Sequence, residues 1–213
     1  MKRSTVVLLV LTLALAFSAI ASAATPNLEL VIPKAKAAPK IDGKLNDAAW
    51  LNASINGGKV VIDVDNTGSW IVDYPRVGYL TYDADALYVA FRIFAPDVTK
   101  LLTTDPSWWN NDEIEIFLDP NQKGLATQFG VTAGGQTNSD AIKAAIDKSG
   151  IRWTVEVAIP WGAVNAKAPA VGDKWGLNLT GHQIAAGTSW VAWNTTYGAF
   201  NNPSKFGVVT FGN

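Results

Sequence analysis

Trp109 stands four residues before Glu113 and six before Glu115, an indole beside a carboxylate-bearing run. In Glu113-Ile114-Glu115-Ile116-Phe117-Leu118-Asp119 the residues alternate, and as a strand this run sets Glu113, Glu115 and Phe117 on one face. An indole offers a flat apolar surface and a single N–H. A carboxylate can accept two hydroxyl protons at once, more strongly than a neutral group does. Together they suit a ligand with an apolar C–H face and a rim of hydroxyls, and sugars are such ligands. The structural alternative is that Trp109 caps the fold and Glu115 pairs with Arg92 or Arg152, while Trp108 points elsewhere and packs.

Other chemistries find less support. His182 is the only histidine and there is no cysteine, so zinc lacks a ligand set. No Gly-x-Ser-x-Gly turn supports a serine nucleophile. In Thr180-Gly181-His182-Gln183 the histidine reads most simply as a strand-end residue. Calcium needs only oxygen, and Asp63 and Asp65 in Asp63-Val64-Asp65-Asn66 are the best candidates, with Asp83, Asp85 and Asp97 behind them. Each reads more simply as a solvated turn carboxylate.

The chain of 213 residues carries nine tryptophans, more than one core of this size needs, so some belong on the surface. Its formal charge of −1 gives no electrostatic footprint for nucleic acid or anionic membranes. Lys2 and Arg3, the apolar run Val6 to Ile20 and Ala21-Ser22-Ala23 read as a cleaved signal peptide over residues 1–23, which predicts a secreted or periplasmic protein. No later segment reads as a membrane span. Without cysteine, burial alone must stabilise the exported fold.

Residues 24–39 read as a linker with one edge strand, Leu28 to Ile32, and residues 40–213 as one domain. Asn46 is a good N-cap for a helical turn ending in an anchoring Trp50. Strand patterns follow at Val60–Val64, Arg76–Tyr82, Leu87–Phe94, Glu113–Asp119, Thr127–Ala133, Arg152–Ile159, Trp175–Gly181, Ser189–Asn194 and Gly207–Phe211. Helical candidates are Ser139–Asp147 and a turn at Trp161–Val164. This predicts an all-β antiparallel sandwich with one or two short helical turns.

Five blocks then carry a resemblance. Ile41-Asp42-Gly43 to Trp50, Leu87-Tyr88-Val89-Ala90-Phe91, Trp109-Asn110-Asn111-Asp112-Glu113 through Asp119, Trp153 to Pro160, and Pro203-Ser204-Lys205-Phe206-Gly207 together resemble carbohydrate-binding module family 9. The resemblance implies an immunoglobulin-like sandwich related to the DOMON superfamily, sugar held between two tryptophans, and structural calcium. It maps the walls to Trp109 and Trp193, with Glu115 below and Asn194 alongside; Trp190 is the fallback, on the opposite face of an extended segment. One departure stands out. Where the family often carries an Arg-x-Asn pair, this chain aligns Gly130 and Thr132, and no glycine replaces a guanidinium fork. Gln128 and His182 with Gln183 are the other polar contacts available.

The expected function is non-catalytic binding of a mono- or oligosaccharide, or a polysaccharide chain end, by a monomer serving carbohydrate catabolism. A glycosidase needs two carboxylates facing each other across the bond, and the acidic residues here cluster on one strand. Haem with two protein ligands would need more than His182, because the sole Met is Met1. A degenerate sandwich acting in surface assembly is the remaining alternative.

Overall fold

A computed structural model describes residues 28–187 and 189–213. The expected signal peptide and the first residues of the expected linker lie outside that range. Two sheets face each other. The first has the order β1 (Glu29–Ile32), β11 (Gly207–Phe211), β9 (Lys174–Gln183), β5 (Glu113–Asp119), β6 (Thr127–Thr132). A short β10 (Ser189–Ala192) pairs with the same edge of β9 as β11, opposite Thr180–Gln183 where β11 covers Lys174–Leu177. The second sheet runs β2 (Lys59–Val64), β3 (Ile71–Tyr82), β4 (Ala86–Phe94), β8 (Arg152–Pro160), β7 (Lys143–Ser149). All pairings are antiparallel except β1 with β11. The sandwich is as expected, and no helix among the described residues is long and apolar enough to cross a membrane.

Alternation builds the core. Ile114, Ile116 and Leu118 of β5 meet Val89, Phe91 and Ile93 of β4 and Val155 and Val157 of β8 in one buried cluster. One end is filled edge-to-face by Trp161 on Trp175 at 5.5 Å and Trp175 on Phe211 at 5.2 Å.

Two local expectations change. Ala141-Ile142-Lys143-Ala144-Ala145-Ile146 has helix-forming composition, yet β7 is a strand, paired with β8 from Lys143–Ala158 to Ser149–Arg152. The open edge of β8 offers a ladder of backbone bonds that outweighs a propensity worth tenths of a kcal/mol per residue. The turn ending at Trp50 is instead the start of a helix, α1 (Ala48–Ile55), whose N-cap is Asp47 rather than Asn46.

Glu156 joins two of the sequence blocks. From β8 its Oε2 accepts the Asp42 and Gly43 N–H groups at 2.8 and 2.7 Å, and its Oε1 accepts the Leu45 N–H at 2.9 Å and the Trp50 Nε1–H at 2.8 Å. Gly43 is required for a separate reason, its approach to β7: its φ is +86°, and a Cβ there would lie 2.5 Å from the Ile146 carbonyl carbon.

Candidate functional site

Because Ile114 and Ile116 point inward, Glu113, Glu115 and Phe117 stand on the outer face of the first sheet. Register places Gly130 and Thr180 on either side of Glu115, and Ala192 beyond Thr180. His182 stands directly across from Trp190. The 3-10 turn Trp108–Asn110, leading into β5, sets Trp108 over Gly130, where a Cβ would fall 2.1 Å from Trp108 Cζ3. Gly130 is thus glycine because an indole occupies the space of its side chain. Trp109 braces edge-on against Trp108 at 5.9 Å and is 49% exposed.

Of the residues singled out by sequence, Trp109, Glu115, Gln128 and His182 share this face. Gln128 Nε2 donates to Glu115 Oε2. Three others are committed elsewhere. Thr132 is fully buried, its Oγ1 accepting the Gly134 and Gln136 N–H groups at 3.2 and 3.1 Å to shape a turn. Asn194 Oδ1 accepts the Leu28 N–H at 3.1 Å and its Nδ2 donates to the Lys205 carbonyl, tying chain segments together. Trp193 corrects the expected wall: it is only 8% exposed, belongs to the core, and presses on Gly207, whose Cβ would lie 2.5 Å from its ring. Alternation along Trp190-Val191-Ala192-Trp193 turns Trp190 outward instead, and it is 40% exposed. Trp190 stacks flat on His182, ring centroids 3.7 Å apart, a pairing that only the strand register reveals.

Beneath these rings the electrostatics are unusual. Arg76 reaches across from β3 and is fully buried; its guanidinium donates to the Glu113 and His182 carbonyls, both at 2.6 Å, where β5 and β9 separate. Gly181 makes room for it, since a Cβ there would meet Arg76 Nη1 at 1.8 Å. Burial lowers the Arg76 pKa to about 10 against the opposing pull of Glu113, Asp112 and Glu115. Burial, with Glu115 nearby, pushes Glu113 well above the carboxylate range. Glu115 is raised to about 7 by burial, less what Gln128 and Arg76 restore. Burial lowers His182, partly opposed by the Trp109 backbone and by Asp112. Glu113 Oε2, Thr180 Oγ1 and both ring nitrogens of His182 are buried without a partner in hydrogen-bond geometry, although the Trp109 backbone comes close enough to the imidazole to favour its charged form.

A pH effect follows. An acid whose folded pKa exceeds its unfolded value contributes stability that is fully present below the unfolded pKa and lost as pH rises through the folded one. For Glu115 that window runs from 4.5 to about 7. At about 1.4 kcal/mol per unit, roughly 3 kcal/mol is at stake. Thermal melts of wild type and Glu115→Gln between pH 4.5 and 8 should therefore diverge, with wild type losing more stability toward high pH; parallel curves would refute the assignment.

The remaining carboxylates hold backbone. Asp112 accepts the Leu102 and Ile184 N–H groups at 2.8 Å, and Asp119 those of Lys123 and Gly124 at 2.9 and 2.8 Å. Of the two candidate calcium ligands Asp63 and Asp65, Asp65 is engaged by the donors of its own turn. Asp65 receives the N–H groups of Thr67, Ser69 and Trp70 and the Thr67 hydroxyl, which outweigh burial and hold its pKa down. Among the described residues no group of three or more His, Cys, Asp or Glu side chains could hold a metal ion.

Comparison with known proteins bears on the fold and the family. A search of curated proteins returns no match. A family 9 carbohydrate-binding module from Caldicellulosiruptor kristjanssonii, solved with cellotriose, has a TM-score of 0.69 at 20% identity over 87% of this chain and 94% of that one. The same organism's module solved with glucose gives 0.69 at 21% identity, over 87% and 96%. The family model described as carbohydrate family 9 binding domain-like matches residues 41–213. The chain belongs to the carbohydrate family 9 binding domain-like family.

Proposed function

We propose that the protein binds carbohydrate without turning it over, on the outer face of β5, β9 and β10 where Trp109 and Trp190 are exposed. One observation carries this reading: two exposed indoles share one sheet face with Glu113, Thr180 and His182, which together hold four buried polar atoms without partners in hydrogen-bond geometry. Buried polar atoms are normally satisfied, so a cluster without partners calls for a ligand or the water it orders. Sugar rings supply both the C–H face for the indoles and the hydroxyls for the polar atoms. The solved family members hold glucose and cellotriose, which makes glucans the first probes. The signal-peptide pattern supports action outside the cytoplasm, in the uptake or breakdown of polysaccharide.

The carboxylates argue against hydrolysis. Glu113 and Glu115 rise from one strand on one face, whereas a glycosidase holds its pair on opposite sides of the scissile bond. Asp112, Asp119 and Glu156 are engaged by N–H donors.

Calorimetric titration of wild type, Trp109→Ala and Trp190→Ala with a glycan panel containing glucose and cello-oligosaccharides tests the proposal. Each loss of an aromatic anchor is expected to cost about 2 kcal/mol, some thirtyfold in affinity, on the best wild-type ligand. Both variants should melt within a few degrees of wild type. A wild type that binds nothing on the panel would end the carbohydrate reading.

A further inference from the structure

Trp190 has protein on both sides. On one, β9 brings His182 directly opposite, its imidazole flat against the indole with the planes 7° apart. On the other, the chain leaving β2 runs beside β10: Asp65 bridges Val191, and the Asn66 N–H donates to the Trp190 carbonyl at 2.7 Å. The indole face toward β9 is therefore covered by the chain's own histidine. The opposite side opens onto a cleft of about 280 Å³ lined by Asn66, Gly198, Ala199 and Phe200. Phe200 stands edge-on to Trp190 at 5.6 Å, while Gly198 and Ala199 are small enough to leave the space open. Trp109 comes from the turn that sets Trp108 over β6, and in the order β6, β5, β9, β10 the strand bearing His182 runs between that turn and Trp190. A sugar ring inserted between the two indoles would have to expel a buried histidine.

We infer that Trp109 and Trp190 are platforms of two separate subsites, with His182 as the fixed spacer, and that the Asn66–Phe200 cleft takes a second ring of one saccharide chain. This rests on the carbohydrate reading above and adds where the ligand lies and how long it is. The cleft falls just below the roughly 300 Å³ at which ordinary ligand sites begin, so it suits one ring rather than a chain. Two linked rings on two platforms bind more tightly than either alone, because the second contact is intramolecular. The protein should then prefer chains to single sugars.

The experiment compares glucose and cellotriose by calorimetry on wild type, Ala199→Trp and Phe200→Ala, with thermal melts on each. Ala199→Trp fills the cleft and touches nothing at Trp109; Phe200→Ala removes the ring at its end. Wild type should bind cellotriose at least tenfold more tightly than glucose. Ala199→Trp should erase that preference and leave glucose affinity near wild type, and Phe200→Ala should reduce the preference several-fold. Equal wild-type affinity for the two sugars, or full cellotriose affinity in a folded Ala199→Trp, would overturn the two-platform arrangement and leave the carbohydrate reading standing. Absence of all glycan binding by wild type would overturn both.

Discussion

Glu156→Ala is expected to lower the melting temperature by about 10 °C or more. The substitution strips partners from the Asp42, Gly43 and Leu45 N–H groups and from Trp50 Nε1–H together. A buried donor left unmet costs about 1–3 kcal/mol, and four that share one acceptor add less than independently, giving a total of about 4 kcal/mol. At this chain length 1 kcal/mol is worth about 2–4 °C. Glu156→Gln keeps one acceptor oxygen and should fall between. Calorimetric melts of the three proteins decide it, and a wild-type melt for the alanine variant would show that the loop from Ile41 to Trp50 is held by packing alone. Sugar affinity should survive in whatever fraction stays folded, since Glu156 lies on the other sheet.

The second large effect is expected at Arg76. Arg76→Met removes the guanidinium that bridges the Glu113 and His182 carbonyls and takes away the charge that keeps the raised Glu113 pKa from climbing further. Each buried carbonyl left without its donor costs about 1–3 kcal/mol. The loss should depend on pH. With the guanidinium gone, Glu113 is easier to keep protonated than charged, so the deficit against wild type should be smaller at pH 5 than at pH 8. Arg76→Lys keeps charge without the fork that spans two carbonyls and should recover only part of the stability. Urea denaturation at the two pH values measures both; a deficit independent of pH would mean that the carbonyl bonds alone matter.

Glu113–Asp119 and Gly207–Phe211 have the same limits in sequence and structure because strict alternation and a closing Pro or Gly mark them. Most other strands shift by a residue or two, while β3 begins at Ile71, five residues before the expected Arg76. The Lys143–Ser149 strand was illegible, since its composition favours helix and only the neighbouring β8 edge makes it a strand. The site shows the same division. Trp109 with Glu113 and Glu115 could be read because a turn and a single strand carry them. Trp190 and Trp193 can be seen to lie on opposite faces, but which face is core depends on β10 pairing with β9 and on Gly207 receiving the Trp193 ring, contacts that local alternation does not determine. Gly130 looked like a missing side chain until Trp108 was seen to occupy its place.

The parallel pairing of β1 with β11 sets how the domain would bear tension. Glu29 lies beside Val208 and Ile32 beside Phe211, so the start of β1 and the end of β11 are at opposite ends of one ladder. Opposed pulls on Leu28 and Asn213 along the strands would slide one past the other and load every rung together, rather than peel them one at a time. Leu28 is further moored to Asn194, and Gly212 to the Ile32 carbonyl at 2.8 Å. A domain pulled at Leu28 and Asn213 would thus meet that force in shear, the direction in which a hydrogen-bonded ladder is hardest to part.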